Sequence, residues 1–440
     1  MESGAPIELI HEGRRIAAAD LERRVQCLVQ DLRQAGLKPG ALCAAFADDV
    51  LKIVLLRQAL RELGAGLVPL APPSGSLPDE LRRWGVGWFW DGRQAQKLAR
   101  SAGGGQMPSA FLVRTSGSTG EPKGVLLTES AVEAAALRVN QRLDLRPDDL
   151  WLLCLPLQHM GGLAILERCR QAGSALWLQQ GFDVVAVAEA LATGWITHLS
   201  LVPAMLWRLL EAGVRPPSSL RVALIGGQAL SPPLAEQAHA AGWPLHVSYG
   251  ASETGGMIAC ESGPGAGLAA GRVGGLLPDV SVRTESDGGL SVAGPVLMSG
   301  YANPEGRPGE GLVDGWFTTG DLGALDGQGI LWIRGRRDEV LVSGGENIHP
   351  SEVEAALAGV ADLGEVALSG VPDPVWGTRL VLFYTGPASP ETAEAICRER
   401  LSGARRPRRL VRVKSLPLRG AGKLDRRRLA LMAARHLELE

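Results

Sequence analysis

Hydroxyls, glycines and one lysine are concentrated in Arg114-Thr115-Ser116-Gly117-Ser118-Thr119-Gly120-Glu121-Pro122-Lys123-Gly124. Small residues let backbone N–H groups close around phosphate oxygens, so this stretch reads as a phosphate cradle. It is not a Walker A loop, which needs Gly before its Lys and a hydroxyl after it, where this chain has Pro122 and Gly124. The spacing of a kinase Gly-rich loop fails as well. A mobile Ser/Gly linker is the bland alternative, disfavoured because the stretch is wedged between an apolar strand and Val125-Leu126-Leu127.

Further blocks follow. Tyr249-Gly250-Ala251-Ser252-Glu253-Thr254-Gly255-Gly256 offers an aromatic ring and a carboxylate after a strand. It misses the GxSxG of a serine hydrolase because Thr254 stands where the closing Gly belongs. Then come Gly226-Gly227-Gln228, Gly315-Trp316-Phe317-Thr318-Thr319-Gly320-Asp321-Leu322, Gly335-Arg336-Arg337-Asp338-Glu339, and Leu416-Pro417-Leu418-Arg419-Gly420-Ala421-Gly422-Lys423.

Together these blocks resemble the adenylate-forming superfamily of acyl-CoA synthetases, peptide-synthetase adenylation domains and luciferases. The resemblance implies ATP, Mg2+ and CoA as cofactor and co-substrates. It implies that Thr115, Ser116, Gly117, Ser118, Thr119, Gly120 and Lys123 hold the polyphosphate. Gly226, Gly227 and Gln228 then pass beside the purine, with Tyr249, Gly250 and Ser252 in the adenine element. Ser252 replaces the family's usual Thr. Glu253 and Thr119 would hold magnesium, Asp321 and Arg336 the ribose, and Asp338 would be the hinge. Lys423 would carry a point charge onto the attacking carboxylate and the α-phosphate.

Leu155-Pro156-Leu157-Gln158-His159-Met160-Gly161-Gly162 is similar to the family's PLxH element, which makes His159 a gate between acid pocket and thiol channel. Together with the chain's short length and segments 151–156 and 197–210, it resembles the o-succinylbenzoate–CoA ligases of menaquinone synthesis. Those ligases tend to have an aromatic residue at Gln158 and Ser at Gly161. The implied function is ATP-dependent ligation of a carboxylic acid to CoA through an acyl-adenylate, on an aromatic or succinylated aromatic acid such as o-succinylbenzoate. The alternatives are transfer to a carrier protein, another aryl or short- or medium-chain acid, and a non-catalytic nucleotide-binding protein.

The elements that must position these residues are legible from periodicity. Leu21, Val25, Leu28, Val29 and Leu32 share one helical face before Gly36. Segments 41–45, 66–70, 109–113, 151–155, 175–178, 197–202 and 220–225 read as buried strands separated by helices, which means a mostly parallel sheet. The Trp84-Gly85-Val86-Gly87-Trp88-Phe89-Trp90 cluster reads as packing. The fold class is therefore α/β. A large N-terminal domain at 1–337, with mostly parallel sheets and a β-rich subdomain at about 263–335, precedes a small mobile α+β lid at 338–440.

Composition agrees. The chain has 440 residues, 45% apolar and 21% charged, enough for a sizeable core. A net charge of −2 is too balanced for a general nucleic-acid binder. The basic run Arg405, Arg406, Arg408, Arg409, Arg412, Lys414, Arg426, Arg427 and Arg428 reads as a solvated face, with CoA phosphates as a further possibility. A polar, acidic start and the lack of a long apolar run predict no secretion signal, no stable membrane insertion and a cytoplasmic location. Six cysteines without a CxxC pair predict buried thiols, and a homodimer stays open.

Overall fold

Two sheets carry the N-terminal three quarters of the chain in a computed structural model that describes residues 8–71, 77, 79–98, 109–116, 122–303, 307, 309–418 and 424–437. In the larger sheet, Leu245–Ala251, Val222–Ile225, His198–Leu201, Leu150–Leu153, Ala175–Leu178 and Leu9–His11 lie side by side and parallel. Their runs are apolar because helices cover both faces. Gly256–Ser262, Arg272–Leu276, Ile330–Arg336, Phe317–Leu325, Gly289–Ala293 and Ser281–Thr284 continue the same sheet antiparallel. The β-rich stretch expected from the Gly- and Asp-punctuated sequence is thus hydrogen-bonded into the parallel body. The second sheet has parallel Phe111–Ser116, Gly66–Leu70, Leu42–Phe46 and Trp88–Trp90 at its centre. The helix predicted before Gly36 runs Ala18–Gln34, burying Leu21, Val25, Val29 and Leu32. Trp84 and Trp90 are buried in the core, in keeping with packing rather than base stacking.

After Asp338 the chain builds around its own core. Val366–Asp373 pairs antiparallel with Gly377–Tyr384, which pairs parallel with Arg409–Arg412. Pro350–Leu357, Pro390–Arg400 and Arg426–Leu437 cover this small sheet, and its buried clusters draw only on residues between Ile348 and Ala433. Ser389 caps the helix Pro390–Arg400 by accepting from the Thr392 N–H at 3.2 Å. Ser351 Oγ ties this unit to the preceding strand by donating to the Arg334 carbonyl at 2.7 Å, and within the unit Arg426 Nε reaches Glu339 at 3.3 Å.

The basic run is only partly a solvated face. Arg426 also pairs with Glu354, Arg408 stacks 4.2 Å from the Trp376 ring centre, and Arg406 Nε donates to the Leu401 carbonyl. The long arms lie along apolar surface while their heads find carboxylates, carbonyls or an aromatic face. Five of the six cysteines are buried and none is bonded, with Cys27 exposed. Among the described residues, no helix is long and apolar enough to cross a membrane.

A buried ion network pins the helices between the sheets. Arg57 Nε donates to Glu167 at 2.6 Å, while its two terminal nitrogens bridge Glu129 at 2.7 and 2.8 Å. Burial alone would raise the pKa of Glu167, yet Arg57 and Arg170 hold it below the usual carboxylate range. A folded value below the unfolded one gives stability that is present above the unfolded value and lost as pH falls through the folded one. Glu167→Gln should therefore destabilise the fold by about 3 kcal/mol at neutral pH, because it removes the buried carboxylate shared by Arg57 Nε and Arg170 and leaves Arg57 with Glu129 alone. The gap should narrow in acid. Urea denaturation followed by tryptophan fluorescence at both pH values checks this.

Candidate active site

The two ends of the expected phosphate loop lie on paired antiparallel strands. Phe111–Ser116 runs out and Pro122–Leu127 returns, with Thr115 opposite Lys123 and Ser116 opposite Pro122. The strand expected to end at Val113 therefore extends to Ser116, because cross-strand pairing carries it to the mouth of the loop. Thr115 Oγ1 donates to the Lys123 carbonyl at 3.4 Å. Gly117, Ser118, Thr119 and Gly120 lie outside the described residues, as does Lys423, and Ser116 is described only in its backbone.

A third strand, Gly300–Tyr301, lies on the returning one, with Tyr301 opposite Val125. This places the Tyr301 ring under Lys123, whose Nζ is 4.7 Å from the ring centre. The Tyr301 hydroxyl donates to Glu253 Oε1 at 2.8 Å. Glu253 stands on the short turn Ser252–Thr254 that follows the strand Leu245–Ala251. Ser252 opens that turn, and its carbonyl accepts from Gly255 N–H at 3.1 Å.

Tyr249, on the same strand, reaches a second cluster. Its hydroxyl donates to Asp321 Oδ2 at 2.6 Å. Asp321 and Arg336 are cross-strand partners, and Arg336 Nη1 donates to Asp321 Oδ1 at 3.2 Å while its Nε donates to Asp338 Oδ1 at 3.1 Å. Burial first, and then the Asp321 charge, keep the Tyr249 phenol protonated far above its ordinary range. The Arg336 charge pulls the other way on both Tyr249 and Tyr301, so the two clusters share one field.

The glycine positions have backbone reasons. A Cβ on Gly250 would fall 1.8 Å from the Gly256 carbonyl oxygen, at a register shift between Tyr249 and Gly250. A Cβ on Gly226 would meet Ser248 Oγ at 2.7 Å, and Gly227 turns with φ +78° before half-buried Gln228. The three therefore follow the end of Val222–Ile225, next in the sheet to the strand bearing Tyr249.

On the acid side, His159 is exposed and immediately precedes the helix Met160–Ala172. That helix carries a residue missed by sequence reasoning, Arg168, which is only 5% exposed. Its guanidinium lies 5.6 Å from the centre of the Trp151 ring, and a Cβ on Gly256 would be 3.6 Å from its Nη2. No carboxylate among the described residues pairs with it, and burial lowers it to about 10. The adjacent Glu167 cannot serve, since neighbours in a helix point to different faces, and it is engaged by Arg57 and Arg170. The available signal was a charge pair inside an otherwise apolar helix.

The site fits magnesium held chiefly by substrate. Among the described residues, no three His, Cys, Asp or Glu side chains cluster as a metal cage. Mg2+ is commonly bound by one or two carboxylates plus phosphates, and Glu253 has one oxygen engaged by Tyr301 and another for such a role.

Comparison with known proteins agrees with this geometry. The AMP-binding enzyme family matches residues 100–302, and the AMP-binding enzyme C-terminal domain matches 352–423. A 2-succinylbenzoate–CoA ligase of Bacillus cereus strain Q1 is 35% identical over 458 residues, covering 95% of this chain and 94% of that protein. The ligase of the same name from Bacillus velezensis is 36% identical over 332 residues, covering 73% and 68%. The solved o-succinylbenzoate CoA synthetase of Bacillus subtilis, in complex with the acyl-adenylate intermediate OSB-AMP, superposes with a TM-score of 0.85 at 29% identity, covering 97% of this chain and 95% of that one. The same enzyme with ATP and magnesium ion gives 0.84 at 29% identity, covering 97% and 96%.

Proposed function

We propose that this chain, which belongs to the family of AMP-binding enzymes, acts on 2-succinylbenzoate and joins it to coenzyme A. The chain is an AMP-forming acid–thiol ligase that uses ATP, Mg2+ and CoA. Arg168 carries the choice of acid. A desolvated guanidinium without a carboxylate of its own among the described residues, resting on Trp151, is complementary to an aromatic acid that keeps a second carboxylate after the first is activated. ATP and CoA are both cytoplasmic metabolites, which favours the cytoplasm as the place of reaction.

In the first half-reaction the substrate carboxylate forms a bond to the α-phosphorus of ATP. The bond from that phosphorus to the bridging oxygen breaks, and pyrophosphate leaves with the electron pair. The activated acyl group now has AMP as leaving group instead of oxide. In the second, the CoA sulfur bonds to the acyl carbon, AMP departs, and the thiol proton passes to solvent.

Thr115, Lys123 and the loop between them would hold the polyphosphate, with the Tyr249, Gly226, Gly227 and Gln228 strand ends beside adenine. Asp321, already oriented by Tyr249 and Arg336, would accept from the ribose hydroxyls. Glu253 would hold magnesium, which when bound spreads and neutralises polyphosphate charge. Lys423 would neutralise the reacting centre, and His159 would stand at the thiol route. We place the division between body and lid after residue 337, with rotation at Asp338 exchanging the Lys423 face for the Ser343-Gly344-Gly345 face.

The test is an acid screen with purified protein, reading AMP formation and the thioester by mass spectrometry. 2-Succinylbenzoate should give 2-succinylbenzoyl-CoA with kcat/KM at least about a hundredfold above benzoate, which lacks the second carboxylate. Equal turnover of the two acids would overturn the assignment.

A further inference from the structure

We infer that Tyr301 is a positioning residue that holds Lys123 and Glu253 apart and aimed for a metal–polyphosphate, an inference that rests on the phosphate and metal roles proposed above. Lys123 and Glu253 are opposite charges that both touch one phenol, the cation over its face and the carboxylate at its hydroxyl. Opposite charges at the mouth of a binding site tend to pair and neutralise one another. Here each meets Tyr301, and no ion pair joins Lys123 to Glu253.

The ring is itself fixed on several sides. Its backbone is stitched to the strand that bears Lys123: Ala302 N–H donates to the Gly124 carbonyl at 2.7 Å, and Ser299 N–H to the Leu126 carbonyl at 2.8 Å. Tyr301 N–H donates to the Glu310 carbonyl at 2.7 Å. Gly311 has φ +88°, and a Cβ there would be 2.5 Å from Cδ2 and Cε2 of the ring, so the backbone forms a wall against it. The same segment holds Glu253 through its main chain, since Met298 N–H donates to the Glu253 carbonyl at 2.8 Å. The Tyr301 hydroxyl is the donor of the 2.8 Å bond to Glu253 Oε1. One carboxylate oxygen is thereby committed, which fixes the plane in which the other is offered.

The experiment is calorimetric titration of α,β-methylene-ATP at varied Mg2+, with AMP in metal-free buffer as a second readout. Tyr301→Phe keeps the ring and removes the hydroxyl. It should raise the half-saturating Mg2+ concentration by about tenfold, the worth of one hydrogen bond to a charged group, and leave AMP affinity within about twofold. Tyr301→Leu should add a loss of analogue affinity without metal, because Lys123 is then free to fall onto Glu253. A merely structural tyrosine would change thermal stability without moving the Mg2+ requirement, and that result overturns the inference. Glu253→Gln separates the two levels. If it shifts the Mg2+ requirement and Tyr301→Phe does not, the bridge alone fails; if neither does, the metal assignment fails and the bridge falls with it.

Discussion

Replacing Lys423 with alanine should lower acid-dependent pyrophosphate release by about a thousandfold, while thioester formation from supplied acyl-adenylate largely survives. The attacking carboxylate and the α-phosphate are both anionic, so their approach is opposed until a cation lies between them. A lysine supplies a compact point charge at the end of its four-carbon side chain. Once the mixed anhydride exists, the thiolate meets a neutral acyl carbon and that cation is no longer needed. The two half-reactions must therefore respond unequally. Pyrophosphate release with acid and ATP, measured beside CoA consumption with synthetic acyl-adenylate, separates them; equal loss of both removes the role.

Arg168→Met should reduce kcat/KM for 2-succinylbenzoate by about a hundredfold to a thousandfold, the range for truncating one member of a desolvated charge pair. Benzoate should be affected far less, so selectivity between the two acids collapses. The substitution also removes a buried cation that has no carboxylate partner among the described residues, so thermal stability should hold or rise. That sign distinguishes a binding role from a structural one, because a structural arginine would take stability with it. Arg168→Lys should recover part of the activity, keeping the charge but losing the planar fork. Steady-state kinetics with both acids and a melting curve suffice.

How much of this could be read from the chain depends on the range of the interaction. Strands such as Gly66–Leu70 and Ala175–Leu178 are continuous apolar runs, and they fold where their periodicity puts them. The helix Pro390–Arg400 begins where Ser389 and Pro390 announce it. The order of the nucleotide-site blocks was legible because each carries its glycines and charges locally, and Tyr249, Asp321 and Arg336 do meet.

Arg168 was not legible, since beside Glu167 it looks like half of a compensated pair. Only the fold reveals that Glu167 is turned to Arg57, on another face. Tyr301 was hidden for a different reason. Its two-residue strand leaves the sheet that holds its sequence neighbours and joins Val125 in the other one, a pairing no local pattern encodes. The basic run near the C-terminus misled in the same way, because Glu339, Glu354 and Trp376 are distant in sequence from the arginines they engage.

Arg336 grips Asp321 with one nitrogen and Asp338 with another. With Asp338 as the proposed hinge and Asp321 as the proposed ribose residue, a lever whose pivot is fastened to the sugar's anchor would not turn independently of what that anchor holds. Torsion at Asp338 would loosen or redirect the Arg336 fork, and a ribose arriving on Asp321 would compete for that same fork. Occupancy of the sugar pocket and the angle of the C-terminal unit would thereby be geared together, so that departure of the spent nucleotide would also rewind the machine for its next turnover.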